Sequence, residues 1–419
     1  MNLNSCQRNA VSEFVDFLLN PSEKEMIISG KAGTGKSTLV EHLVNNSIPA
    51  HLKTLALITN QKTDYEIVLT ATTNKAAKVL AEKMDTNIIR TIHSYIGLTV
   101  QNNFKTGDTF LKRSNNYKPF NHVILFIDEA SFIDEFLLKE IRQAAMADTK
   151  IIYIGDPYQL APVKSGTKIP PVFTQPIREV RLETIMRNPG PIEHAADRFR
   201  MAVETAQFQP LLVDGQNIIH TTGEEFKALV DDHFIGSQTS NNKILAWSNE
   251  RVISYNNYIR EARGFTEPLC VGEEVITNKP IMVGNVMIPT DTHLIIEEII
   301  PTKAKDLNGY YVRFKDSLHL LFQPADWHEA NRLSKAYARR KEWHEYFDIK
   351  ERWLDLRPIY ACTVFKAQGS TYDKAFIDIS DIGRTNIKSD FARMMYVAVS
   401  RASNQVILYG DLPAKYSGE

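Results

Sequence analysis

A chain of 419 residues, 43% hydrophobic and 24% charged, is long enough to hold more than one core and falls outside the disordered and low-complexity classes. Its formal net charge of −1 gives no global attraction to nucleic acid, but a local basic groove remains compatible with it because screening confines such fields to about 10 Å at 0.1 M salt. Cys6, Cys270 and Cys362 have no C-x-x-C spacing, which argues against a disulfide framework and a zinc site, and no apolar run approaches the roughly 20 residues that span a bilayer.

In chain order, Met1-Asn2-Leu3-Asn4-Ser5 has neither the charged nor the apolar part of a signal peptide. The expected location is therefore cytoplasmic, with no membrane partner. Ala10, Val11, Phe14 and Leu18 then recur at helical spacing. Gln7, near the head of that helix, carries the donor and acceptor that an adenine edge needs. A helix-capping or solvated glutamine is the alternative, and the phosphate loop that follows favours the adenine reading.

That loop is Gly30-Lys31-Ala32-Gly33-Thr34-Gly35-Lys36-Ser37, which fills the G-x-x-x-x-G-K-[ST] pattern. Apolar Met26-Ile27-Ile28 leads in as a strand. Leu39, Val40, Leu43 and Val44 follow at helical spacing, placing the loop and the adjoining Thr38 at a helix N-terminus where free N–H groups face an anion. Lys36 is expected to reach the outer phosphates of a nucleoside triphosphate and Ser37 to hold Mg²⁺.

Ile67 to Ala71 reads as a strand, and Thr72-Thr73-Asn74-Lys75 as a polar turn into a helix on the same sheet edge as the loop. Its hydroxyls and N–H groups suit either a nucleic-acid backbone or a helix N-cap. Thr91-Ile92-His93-Ser94 follows. A polar segment at about 98–120, with Phe104 to Phe110 as a turn flanked by aromatics, reads as an inserted hairpin. Val123-Ile124-Leu125-Phe126-Ile127 is a strand buried on both faces, ending in Asp128 and Glu129. Asp128 is expected to bind Mg²⁺ through water and Glu129 to polarise the attacking water. Another buried strand, Ile151 to Ile154, runs into Gly155-Asp156-Pro157-Tyr158-Gln159, where Asp156 and Gln159 on one loop can register a γ-phosphate. Arg187 is a lone basic residue after an apolar run.

Between Glu273 and Phe322, short β-rich runs alternate with turns: Glu274 to Thr277, Val286 to Ile288, Leu294 to Ile296, Gly309 to Phe314 and Leu318 to Phe322. Such spacing suggests a small barrel. Leu333 to Arg357 reads as charged helix in which Glu342, Glu345, Asp348 and Glu351 interrupt the positive charge, favouring a solvated face over a DNA contact.

Taken with Ala361-Cys362-Thr363-Val364-Phe365-Lys366-Ala367-Gln368-Gly369 and Tyr396-Val397-Ala398-Val399-Ser400-Arg401-Ala402, these stretches fall in the order of the motifs of superfamily 1 helicases. The chain resembles the RecD-like branch, superfamily 1B, and within it the phage Dda-type helicases. The resemblance implies an α/β protein with two RecA-like parallel-sheet domains, a small inserted hairpin, and an inserted SH3-like β-barrel with a helical extension. On that plan the first domain covers 1–183 with its hairpin at about 98–120, the second 184–254 and 358–419, and the barrel with its charged helices 255–357.

The same resemblance implies ATP and Mg²⁺ as ligands, with Gln368 and Gly369 in the nucleotide and coupling region. Arg187 and Arg401 are implied as arginine fingers, a clamp that can be worth about 10³–10⁵ in rate. Thr72, Lys75, His93, Phe104, Trp247, Asn249, Thr363, Phe365 and Lys366 are implied along a single-stranded DNA track, with Phe104 to Phe110 as a candidate separation pin. The family pattern has a His before this Lys; here Phe365 stands there, and an aromatic stacks where an imidazole hydrogen-bonds. The implied activity is a monomeric ATP-dependent 5′→3′ DNA helicase acting at single/double-strand junctions in replication or recombination, with a single-strand-binding protein as an expected partner. Two alternatives are a translocase subunit of a recombination complex and a nucleotide-switched binding module without motor activity.

Overall fold

The structure, a computed structural model, describes residues 3–59, 65–84, 89–102, 109–115, 117–160, 169–186, 190–236, 241–284 and 286–416. It divides into two compact units, one of residues 1–101, 111–220 and 364–419, the other of residues 102–110 and 221–363. Residues 184–220 and 364–419 fall in the same unit as the first core.

The first unit is built on strands β1 (Glu25–Gly30), β2 (Glu66–Ala71), β3 (Arg90–Thr91), β4 (Leu98–Asn102), β5 (Thr109–Arg113), β6 (Val123–Asp128), β7 (Thr149–Gly155) and β8 (Arg178–Leu182). Six of them form a parallel sheet in the order β3-β2-β6-β7-β1-β8. β4 and β5 pair separately, as the hairpin reading expects; the turn with Phe104 lies outside the described residues.

Parallel strands covered on both faces need apolar side chains at successive positions, and β6 and β7 supply them. Ile27, Leu125, Ile127, Ile151 and Tyr153 fill one core. Met26, Ile28, Ile124, Phe126, Ile152 and Ile154 fill the other, beneath Phe14, Phe17 and Leu39.

Register brings the functional stretches to one edge: Ser29 lies opposite Gly155, Gly30 opposite Leu182, and Ala71 opposite Asp128. Gly30 is required there, since a Cβ would stand 2.8 Å from Thr34 Oγ1 and 2.9 Å from the Leu182 carbonyl.

The Ser5–Leu19 helix is capped by Asn4, with Gln7 closing a capping box. At its other end buried Lys150 donates to the carbonyls of Phe17 (2.9 Å), Asn20 (2.6 Å) and Glu23 (2.6 Å). Later in the unit, Tyr372–Asp378 and Ala402–Tyr409 pair in parallel. Helix Lys388–Ser400 is apolar along most of its length, with Phe391, Met394, Met395 and Val397 buried. A helix apolar on most sides must itself be covered, and Pro191–Thr205 packs beside it, Phe199 meeting Phe391 edge-on at 6.3 Å.

The second unit holds the parallel pair Lys243–Ala246 and Ala361–Thr363, and a five-stranded antiparallel sheet with Glu274–Thr277, His293–Ala304, Leu307–Phe314, Leu321–Pro324 and Leu356–Pro358. Val275, Ile281, Ile296, Val312, Phe314 and Leu354 form its core. The strand expected from Leu318 begins at Leu321, and Leu318 is exposed. Helix begins at Trp327, earlier than expected, where Asp326 accepts from the His328 N–H. Trp353 packs on Phe322 at 4.5 Å, which makes it a core residue. Among the described residues no helix is long and apolar enough to cross a membrane.

Candidate active site

The phosphate loop leaves β1 and turns on two glycines in the left-handed region, Gly33 (φ 85°) and Gly35 (φ 78°), before helix Lys36–His42 begins. A side chain at either would strain the turn. Thr34, fully buried, donates through Oγ1 to the Lys31 carbonyl at 2.9 Å. Lys36 donates to the carbonyls of Gly30 (2.6 Å) and Lys31 (2.8 Å), so its ammonium lies within its own loop. Burial pushes the Lys36 amine below the ordinary lysine range, opposed by the carboxylates of Asp156, Glu129 and Asp128. Ser37 and Thr38 are half-buried on the first helical turn. The Ala32 N–H meets a distant side chain, the Tyr396 phenol, at 3.4 Å.

Gln7 is buried and takes the helix-capping role. Its Oε1 accepts from the Asn4 N–H at 3.1 Å, closing the capping box, while its Nε2 points at the Gly35 carbonyl at 3.5 Å.

At the end of β6, the Glu129 N–H donates to Asp128 Oδ1 at 2.8 Å, and Glu129 takes φ 53°. Burial raises the Asp128 carboxyl. Burial first, then the Asp128 charge, pushes the Glu129 carboxyl up to about 7, with Lys36 and Arg401 pulling it down. Gly369 faces this carboxylate: a Cβ built on it would lie 3.7 Å from Glu129 Oε1. Thr72 is buried, and its hydroxyl donates to the Glu129 carbonyl at 2.9 Å.

Gln159 is buried, its Nε2 on Asp156 Oδ2 at 3.4 Å and its Oε1 accepting from Gln368 Nε2 at 3.0 Å. Gln368 Oε1 is buried without a hydrogen-bond partner among the described residues. Arg401 is buried at the end of helix Lys388–Ser400, donating to the Val397 and Ser370 carbonyls, each at 3.2 Å. Arg187 lies outside the described residues. The first unit thus brings together the phosphate loop, Asp128, Glu129, Gln159, Gln368, Gly369 and Arg401. Two residues that sequence reasoning left without a role join them. Tyr396 donates to Asp156 Oδ2 at 2.5 Å, and Arg393 donates to the Pro157 and Gln159 carbonyls. Beside them a cavity of about 300 Å³ opens onto Lys31, Ala32, Pro191, Tyr396 and Ser400.

The residues expected on a strand-binding track are spread over both units. In the first, Lys75 donates to the Lys366 carbonyl at 3.0 Å and Phe365 is exposed. His93 sits on the short Ile92–Tyr95 helix, and burial pushes its imidazole below its usual range. In the second, Ala246 and Thr363 are register partners, which puts Trp247 beside Thr363 at one edge, and exposed Asn249 opens the helix capped by Ser248.

A parallel sheet whose carboxyl edge carries a phosphate loop, an Asp-Glu strand end and a buried arginine defines a P-loop ATPase. The AAA domain family matches residues 2–221, just over half the chain, and the UvrD-like helicase C-terminal domain matches residues 358–409. The chain is 24% identical over 448 residues to the ATP-dependent DNA helicase dda of Enterobacteria phage T4, covering 96% of this chain and 97% of that one. A stretch of 159 residues is 33% identical to the RecBCD enzyme subunit RecD of Buchnera aphidicola, covering 34% of this chain and 24% of that subunit. The crystal structure of Pif1 helicase from Bacteroides in complex with ADP-AlF3 and ssDNA shares the fold, with a TM-score of 0.53 at 16% identity over 100% of this chain and 94% of that chain. The chain belongs to the AAA domain family, and its likeness to Dda and RecD marks it as a Dda- and RecD-like superfamily 1B helicase.

Proposed function

We propose that this protein couples ATP hydrolysis to 5′→3′ movement on single-stranded DNA and separates duplex at a junction, in replication or recombination of DNA. The observation that carries the ATPase part of the proposal is the convergence of Lys36, Glu129, Gln159, Gln368 and Arg401 at one sheet edge, where the charges of Lys36, Glu129 and Arg401 act on one another and Gln368 donates to Gln159. The full-length likeness to a phage DNA helicase supports the motor part.

In this reading the N–H groups from Ala32 to Thr38 cradle the phosphates, and the Lys36 ammonium exchanges its loop carbonyls for phosphate oxygens. Gln7 meets the adenine edge. The donor set fits a divalent cation shared with phosphate: Ser37 and the Asp128 carboxylate would hold Mg²⁺, which neutralises charge on the phosphates when bound. Glu129, with its proton affinity raised toward neutrality, orients and polarises the attacking water. Arg401 and Arg187 stabilise the charge on the transferring phosphoryl group. Gln159 registers the outer phosphate and passes the change to Gln368, on the segment that carries Phe365 and Lys366.

We read residues 1–183 as one RecA-like domain, 184–254 and 358–419 as a second, and 255–357 as an SH3-like insertion with a helical extension. The parallel pairs at 243–246 with 361–363 and at 372–378 with 402–409, and the antiparallel sheet between 274 and 358, support that plan. Thr72, Lys75, His93, Phe104, Trp247, Asn249, Thr363, Phe365 and Lys366 form the track, on which Phe365 stacks on a base. The protein works as a cytoplasmic monomer, beside a single-strand-binding protein. Duplexes with a single 5′ or 3′ tail test the polarity: unwinding from the 5′ tail is expected, and unwinding from the 3′ tail alone contradicts it.

A further inference from the structure

We infer that Tyr396 is a positioning residue that ties the phosphate loop to the Gln159 loop and sets Gln159 for turnover; the inference rests on the ATPase reading above. Tyr396 is 2% exposed, so its hydroxyl must be satisfied inside the protein. It donates to Asp156 Oδ2 at 2.5 Å and accepts from the Ala32 N–H at 3.4 Å. Asp156 is 1% exposed and holds the turn that follows β7, accepting from the Tyr158 N–H at 3.0 Å and from Gln159 Nε2 at 3.4 Å. One turn earlier on the same helix Arg393, 3% exposed, donates to the Pro157 carbonyl at 2.9 Å and to the Gln159 carbonyl. The helix that ends at Arg401 therefore grips the Gln159 loop at its side-chain and main-chain acceptors.

The phenol stands between two groups whose environment changes when a triphosphate arrives. A phosphate oxygen at the Ala32 N–H competes with the Tyr396 oxygen for that donor. Losing it leaves the phenol committed to Asp156, whose other hydrogen bonds orient Gln159. Phosphate on the loop is thereby felt at Gln159 through a single hydroxyl. Packing alone asks only for the ring at this position, so the hydroxyl is the group to remove.

Tyr396→Phe in the full chain does this while keeping the ring. In steady-state ATP hydrolysis stimulated by single-stranded DNA, kcat is expected to fall about tenfold, the scale of one lost hydrogen bond to a charged group, with KM for ATP changed by less than about twofold. In an Asp156→Asn background the same substitution is expected to have little further effect, since both changes break one link. Wild-type kcat in Tyr396→Phe, a loss carried by KM, or full additivity with Asp156→Asn overturns the inference. Wild-type protein without DNA-stimulated hydrolysis, or Lys36→Ala with undiminished turnover, overturns instead the reading on which it rests.

Discussion

Glu129 occupies a left-handed backbone position at φ 53° and a site that resists its charge. Such a conformation costs roughly 1 kcal/mol or more in a non-glycine residue, and here Thr72 Oγ1 and the Phe132 N–H hold the Glu129 carbonyl in place. Its carboxyl is raised from 4.5 to about 7, so between those values the folded state keeps a proton that the unfolded chain has released. Stability is therefore lost as pH rises through that window, and the loss is complete above it. Glu129→Gln escapes the loss. It should raise Tm by about 2 °C at pH 8 and leave it unchanged near pH 4.5 in nucleotide-free protein, while retaining ATP binding without turnover. In the wild type, kcat/KM should fall as pH drops below about 7, because the base must be ionised. Lys36→Ala should lower turnover by about 10²-fold or more. Lys36, Asp128 and Glu129 were legible in the sequence because each closes a local pattern of strand and loop. The Tyr396–Asp156 bond was not: its partners are 240 residues apart, and Tyr396 lies in an apolar run that reads as core.

At the scale of elements, the Ser5–Leu19 helix shows how remote packing sets the site. Its last carbonyls would be orphaned, and the buried Lys150 ammonium satisfies the Phe17 carbonyl together with those of Asn20 and Glu23 just beyond. Lys150→Met removes all three hydrogen bonds and should cost about 3 kcal/mol in chemical denaturation, with a raised KM for ATP because the same helix carries Gln7. Strands β1, β6 and β7 could be read directly, since burial on both faces demands a continuous apolar run. The last strand of the antiparallel sheet could not. Leu318 and Leu320 extend an apolar alternation, but the Leu307–Phe314 strand offers partners only from Gly309 to Val312, opposite Leu321–Pro324. Phe322 needs Gly309 there, since a Cβ would stand 2.5 Å from its ring.

For the whole molecule, near-neutral net charge concealed a nucleic-acid enzyme; the ordered motif set carried that information and composition did not. What pattern could not supply was the three-dimensional pairing of those motifs, the Gln368–Gln159 bond above all, which joins the segment bearing Phe365 and Lys366 to the nucleotide edge. The central claim is that hydrolysis at this edge drives strand separation. Unwinding of a 5′-tailed duplex by wild-type protein and by Glu129→Gln, each with ATP and with a non-hydrolysable analogue, tests it most directly. Strand separation by the wild type with ATP alone is predicted; separation by Glu129→Gln, or by the wild type with the analogue, would contradict it.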